Sequence, residues 1–243
     1  MLTLLMTRPQ RAAERFVAGL PTDLRSRLVP LYSPLVSVVP VSSKIEFDDA
    51  RGLIFTSSNG VAIAAGLTTG RRELPCFCVG RATTLAAQQA GWQAECAGAT
   101  SLAMIGALKR PRPEGPLLHI RGTHSRGNVA ARLTALGFPT REQVIYDQPL
   151  LPLSEDAGRV LSDINPVIVP LFSPRTARQF ANLVTGPAPL YIAALSDAVA
   201  IQVKALKYKE LSISRHPNAD AMAQLIGQLS NDAVRVEGTK PTQ

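Results

Sequence analysis

Arginines and small hydroxyl residues recur where apolar runs of this chain give way to helix-like stretches. They stand at Thr7-Arg8, Thr56-Ser57-Ser58-Asn59, Gly80-Arg81-Ala82-Thr83, Arg121-Gly122-Thr123, Ser173-Pro174-Arg175 and Ser196. Free backbone amides and the helix dipole attract carboxylates and phosphates at a helix start. Ser57, Ser58, Thr83, Ser173 and Ser196 are therefore candidate anion contacts. Each also reads as a helix cap, a role worth about 1 kcal/mol, and a capping hydroxyl can still face a ligand. Arg8 and Arg121 each end an apolar run, where a guanidinium fork suits carboxylates; the other reading is a salt bridge to a neighbouring loop.

Familiar catalytic signatures are missing: no GxSxG elbow, no GxxxxGK[ST] loop and no GxGxxG after a strand. Gly122 and Gly127 enclose Thr123-His124-Ser125-Arg126, a weak match to a dinucleotide loop. His119 sits within an apolar run and reads as a packed core histidine. The three histidines are scattered, which argues against a metal centre. Cys76-Phe77-Cys78 reads as structural, its one-residue spacing expected to set the thiols on opposite faces of a strand. Few groups near these sites titrate around neutrality, as suits a protein that shapes an intrinsically reactive substrate.

The elements that must position these residues alternate. Candidate strands fall at 2–7, 27–32, 52–56, 75–79, 94–97, 117–121, 143–146, 167–172, 190–194 and 210–213. Helical patterns occupy 10–19, 58–66, 82–91, 101–108, 126–137, 174–182, 196–206 and 219–229. Such alternation marks βαβ units and parallel sheets, whose ligands bind beyond the carboxyl ends of the strands.

Landmarks also repeat. Arg8 and Arg121 lie 113 apart, Tyr32 and Tyr146 114, Ser57 and Ser173 116, and Thr83 and Ser196, which open the next helices, 113. A period near 115 is domain-sized rather than a solenoid repeat; the other reading is that any two βαβ runs share such landmarks. Proline-spotted segments at 36–49 and 147–155 follow the two tyrosines. If the chain crosses between lobes at both, residues 1–36 and 150–243 form an outer α/β domain around an inserted one at 37–149.

The 243 residues carry a formal charge of +8, from 26 Lys and Arg against 18 Asp and Glu. That favours an anionic partner. The basic residues are dispersed and aromatics are only 5%, so nucleic acid is disfavoured. No run reaches membrane-span length. With an odd three cysteines and no signal-like start, the expectation is a cytoplasmic protein with free thiols.

Phe55-Thr56-Ser57 before a helix, Val79-Gly80-Arg81-Ala82-Thr83, Val144-Ile145-Tyr146-Asp147-Gln148 after an Arg-Gly strand end, and Phe172-Ser173-Pro174 together resemble uroporphyrinogen-III synthases. The order fits from Thr7-Arg8-Pro9 to His216-Pro217-Asn218-Ala219-Asp220-Ala221. The resemblance implies two doubly wound, flavodoxin-like parallel-sheet domains joined by a two-stranded connector, with the active site in the inter-domain cleft. It implies no cofactor and a linear tetrapyrrole substrate, hydroxymethylbilane, with eight carboxylates. No nucleic acid or membrane partner is implied, and the expected state is a monomer. Tyr146 matches the family tyrosine that assists loss of the terminal hydroxyl, and Ser57, Thr83, Ser173 and Ser196 match hydroxyl positions that contact carboxylates. Tyr32 marks the equivalent strand end, where such a tyrosine is architectural. The chain departs from the family at Ala194-Leu195-Ser196-Asp197, where an acid follows the serine. The tail, 234–243, has no counterpart and is expected to lack order. The alternative function is a two-lobed, hinge-closing binding protein for a small polyanion.

Overall fold

The computed structural model describes residues 1–108, 113–125 and 127–238. The N-terminal part carries β1 (Leu2–Met6), α1 (Gln10–Ala18), α2 (Thr22–Arg25) and β2 (Leu28–Tyr32). Next come β3 (Val39–Pro40), β4 (Gly52–Phe55), α3 (Ser58–Leu67), β5 (Pro75–Val79), α4 (Arg81–Gln89) and β6 (Gln93–Gly98). They are followed by α5 (Ser101–Ala107), β7 (Leu117–Gly122), α6 (Val129–Ala135) and β8 (Thr140–Asp147). The remainder holds α7 (Glu155–Leu161), β9 (Val167–Leu171), α8 (Pro174–Leu183), β10 (Leu190–Ala194), α9 (Asp197–Ala200), β11 (Glu210–Ile213) and α10 (Ala219–Gly238).

The chain divides into two compact units, one from Met1–Ser37 and the chain from Leu150 onward, the other Val38–Pro149. In the first, five parallel strands lie in the order β11-β10-β9-β1-β2. In the second, the order is β3-β8-β7-β4-β5-β6, all parallel except β3 against β8. The repeated landmarks of the sequence map onto both orders. β1 and β2 belong to the first copy and β9, β10 and β11 to the second; β7 and β8 belong to the second copy and β4, β5 and β6 to the first. The first sheet thus takes two strands from the first copy and three from the second, and the second sheet takes two from the second copy and β3, β4, β5 and β6 from the first.

Alternation along the strands makes two cores per sheet, because successive side chains point to opposite faces. Leu4 and Met6 join Phe16 and Ile226 on one face of the first sheet, while Leu5 joins Val169 and Phe180 on the other. In the second sheet Leu53 and Phe55 face Val61 and Ala87, and Ile54 faces Met104 and Leu133. Continuous apolar runs such as Val167–Leu171 follow, since both faces are covered.

Several sequence expectations change. Cys76 and Cys78 share one face, with their Sγ atoms 3.7 Å apart; residues two apart on a strand point the same way. The bond between them and burial push the Cys76 thiol up. The helix expected at 126–137 begins at Val129, and Arg126 lies outside the described residues. The helix expected over 196–206 shortens to α9 and a 3₁₀ turn, Ile201–Val203. Residues 234–238, expected without order, continue α10, whose Leu225, Ile226, Leu229 and Ala233 form a buried stripe at helical spacing. Positions 239–243 lie outside the described residues.

Candidate functional site

Tyr146 lies near the end of β8 and is 3% exposed. The register between β7 and β8 shifts after Arg121, where Gly122 pairs with Tyr146 instead of Ile145. A bulge of this kind re-aims side chains. Its effect is to send Tyr146 to the same core as its neighbour Ile145, on the α3 side. The ring packs against two glycines. A Cβ built on Gly122 would fall 2.5 Å from the Tyr146 ring, and one on Gly60 3.5 Å away. Backbone pairing of Thr123 N with Tyr146 O at 2.9 Å fixes the strand end. The Ser57 side chain and the Gly122 backbone are the phenol's polar neighbours. Burial pushes the phenol pKa above the ordinary tyrosine value, partly offset by those neighbours. At neutral pH the group is a protonated donor.

Ser57 supplies the other half of this contact. It caps α3 with extended backbone, its Oγ accepting from Asn59 N at 3.2 Å. Ser58 follows as the first helical residue, half-buried. One serine therefore both caps a helix and meets the phenol.

On the opposite face of the same sheet lies a second polar group. His119 on β7 is fully buried and sits opposite Glu142 on β8 and Ile54 on β4. Its Nδ1 lies 3.2 Å from Glu142 Oε1 and its Nε2 3.3 Å from Thr56 Oγ1. A carboxylate only accepts, so Nδ1 carries the proton and Nε2 accepts from the Thr56 hydroxyl. Burial pushes the imidazole below the ordinary histidine value, against the upward pull of Glu142. Burial alone would raise the Glu142 carboxyl, but bonds from Arg121 and His119 outweigh it and hold it below its usual range.

Arg121 places Nε 2.8 Å and Nη2 2.7 Å from Glu142 Oε2. Its Nη1 donates to the carbonyls of Gly122 and Thr123 at 2.9 and 3.3 Å. Arg121 thus makes an ion pair to a neighbouring strand. Thr83 does not cap its helix. The N-cap is Gly80, at φ +77, which a glycine adopts without penalty, and α4 starts directly at Arg81. Thr83 is buried at the third helical position.

In the other unit the strand-end residues are arranged differently. The Arg8 guanidinium lies over the Phe172 ring, 4.1 Å from its centroid, and Phe172 meets Phe16 edge-on at 4.9 Å. Among the described residues no carboxylate lies within ion-pair distance of Arg8. Burial, then the nearby Arg15, lowers its pKa to about 10, so it remains a cation at neutral pH. Ser173 caps α8, accepting from Thr176 N at 3.1 Å and donating to Thr176 Oγ1 at 2.8 Å. Ser196 precedes α9 in extended conformation and makes no side-chain cap bond. Thr7 Oγ1 and Arg175 Nη1 are buried with no hydrogen-bond partner among the described residues.

Sequence reasoning gave Thr56 no role of its own and passed over Glu142 and the packing role of Gly122. Glu142 was within reach: an acid in a strand, one register step from a histidine and an arginine, seeks both. Among the described residues no three His, Cys, Asp or Glu side chains converge as metal ligands would. No helix there is long and apolar enough to cross a membrane.

Two mostly parallel sheets with helices between their strands, their strand ends carrying hydroxyls, a caged phenol and cations, place the chain among α/β proteins. The family model described as "HEM4: Uroporphyrinogen-III synthase HemD" matches residues 25–224. The chain belongs to the uroporphyrinogen-III synthase family and is an enzyme of tetrapyrrole biosynthesis. Its fold is similar to the crystal structure of uroporphyrinogen-III synthetase from Helicobacter pylori, with TM-score 0.68 and 16% identity, covering 94% of this chain and 100% of that one. A mutant uroporphyrinogen III synthase from the extremely thermophilic bacterium Thermus thermophilus matches with TM-score 0.54 and 13% identity, over 97% of this chain and 100% of that one. No curated protein matches by sequence.

Proposed function

We propose that hydroxymethylbilane is held by the strand ends bearing Arg8, Ser57, Ser58, Thr83, Ser173 and Ser196, that Arg121 shapes one of them from within the sheet, and that Tyr146 supplies the proton that releases the terminal hydroxyl. The finer architecture proposed is two flavodoxin-like domains, 1–36 with 150–243 and 37–149, joined by a two-stranded connector with the active site in the cleft between them. The order β2-β1-β9-β10-β11 of the first sheet is the flavodoxin-like 2-1-3-4-5 and supports it, and β6-β5-β4-β7-β8 of the second is the other doubly wound order, 3-2-1-4-5. The enzyme works as a cytoplasmic monomer, without cofactor or nucleic acid.

The observation that carries the role of Tyr146 is its contact with Ser57. A nearly buried phenol delivers its proton through the hydroxyl it touches, so Ser57 is the relay to the substrate. Departure of water leaves an azafulvenium cation on ring A. The substituted α-carbon of ring D attacks it, giving a spiro intermediate that fragments and recloses with ring D inverted. Protein binding contributes proximity, making the ends of a flexible chain meet, and one positioned acid contributes typically 10²–10⁴-fold.

Product identity tests the reading. Unassisted closure goes through the free α-position of ring D and yields the type I macrocycle. The purified protein should produce type III in proportion to its concentration, separated chromatographically after oxidation to porphyrins. Type I alone at every protein concentration would refute the assignment and leave a polyanion-binding protein.

A further inference from the structure

We propose that Thr56, backed by His119 and Glu142, is the proton acceptor of the cyclisation. The inference rests on the type III reaction described above. That reaction consumes one proton when the hydroxyl leaves as water. It releases one when the reclosed ring D, carrying hydrogen and the new bond on the same α-carbon, regains its aromatic pyrrole. A donor alone leaves this second transfer unassigned.

The residues form an ordered line. Thr56 follows β4 immediately before Ser57 and is half-buried, whereas His119 behind it is fully buried. Its hydroxyl donates to His119 Nε2 at 3.3 Å, and Nδ1–H of the same ring donates to Glu142 at 3.2 Å. Glu142 is held in turn by two nitrogens of Arg121. An acid fixing the tautomer of a histidine that accepts from a hydroxyl is the arrangement of a general base acting through that hydroxyl. In the step, the α-C–H bond breaks and its electrons restore the pyrrole. The proton passes to Thr56 Oγ1 as the Thr56 proton moves to His119 Nε2. The resulting imidazolium faces the Glu142 carboxylate, and it returns its proton to water once product leaves.

A packed histidine needs partners too, but packing alone does not require the accepting nitrogen to point at a half-buried hydroxyl beside the Ser57–Tyr146 pair. The two groups lie on opposite faces of one sheet and meet at the same strand ends. Donor and acceptor are thereby kept apart, so neither proton short-circuits to the other. The charged groups facing the imidazole are Glu142 on β8 and Arg121 on its own strand. β4 presents Ile54, and Thr56, the residue after β4, reaches the ring; α5 carries no charged residue, and Arg132 of α6 is exposed.

The test compares Thr56→Val and Thr56→Ser with the wild-type enzyme, using hydroxymethylbilane carrying deuterium at the free α-carbon of ring D. Thr56→Val should turn over roughly 10²–10³-fold more slowly and show a primary isotope effect absent from the wild type. The wild-type acid limb, set by protonation of His119 below the ordinary histidine range, should flatten in this variant. Thr56→Ser, which keeps the hydroxyl, should recover most of the rate and the acid limb. Wild-type turnover by Thr56→Val, or a slow Thr56→Val with no isotope effect and an unchanged pH profile, would overturn the relay while leaving type III synthesis standing. Absence of type III from the wild-type reaction would overturn both.

Discussion

The two sheets carry the same landmarks and use them differently. In the unit 38–149, Arg121 is neutralised by Glu142 and Tyr146 is locked between two glycines with its hydroxyl on Ser57. In the other unit, Arg8 lies on an aromatic ring without a carboxylate, and Tyr32 is half-buried with its pKa raised by burial and by Glu14. Both ends carry an arginine and a tyrosine. One end is a charge-compensated polar network, and the other holds a cation with no carboxylate at ion-pair distance among the described residues. The contrast teaches that a strand-end motif defines a location, and the residues across the sheet decide its chemistry.

Tyrosine replacement should break the symmetry most visibly. Tyr146→Phe should slow type III formation roughly 10²–10⁴-fold, while Tyr32→Phe stays within a few-fold, measured as initial rates at matched thermal stability. Equal losses would dissolve the asymmetry. Because burial raises the Tyr146 pKa, its donor form persists through pH 7–9, and any alkaline loss caused by the phenol should set in above about 10.

The arginines come next. Arg8→Ala should weaken substrate or product binding about 10-fold or more, since a hydrogen bond to a charged group is worth about 1.5–3 kcal/mol. Added salt should weaken binding as well. Arg121→Ala should act chiefly on stability, because it leaves Glu142 without its principal partner. Titration calorimetry and thermal melts separate the two, and the reverse pattern would make Arg121 the anion ligand.

Gly122→Ala sharpens the same point. A methyl placed 2.5 Å from the Tyr146 ring should cost about 1–3 kcal/mol by overpacking and displace the phenol from Ser57. Urea unfolding reads the first effect and turnover the second; an Ala variant with normal values of both would mean the ring moves freely. The smallest difference is expected from the caps. Ser57→Ala and Ser173→Ala should each lose about 1 kcal/mol of stability, with only Ser57→Ala also losing proton delivery.

Much of this was legible in the chain. Apolar runs such as those holding Leu4, Ile54 and Val169 announce strands covered on both faces, and the alternation with helices announces parallel sheets. Short elements were not. Val39–Pro40 is too brief to show a period, and α7 hides behind a central Gly158, although Ser154 followed by Glu155 and Asp156 is a helix-start signal. The Tyr146 cage was illegible because it depends on a bulge, a register event between strands that no single segment encodes. The Glu142–His119–Thr56 line joins residues 23 and 63 positions apart, visible only once β4, β7 and β8 are neighbours.

The exchange of strands between copies also bears on how the chain comes off the ribosome. β1 pairs with β9, Thr3 against Val167, so the first 37 residues have no complete sheet to join until most of the chain exists. Residues 38–149 form a contiguous unit whose last strand, β8, emerges before β9. At synthesis rates of roughly 5–20 residues per second, β1 waits on the order of ten seconds with Leu4, Leu5 and Met6 unburied. The second-made unit is thus the first able to close, and the N-terminal strands are the segment most exposed to chaperone capture or mispairing during translation.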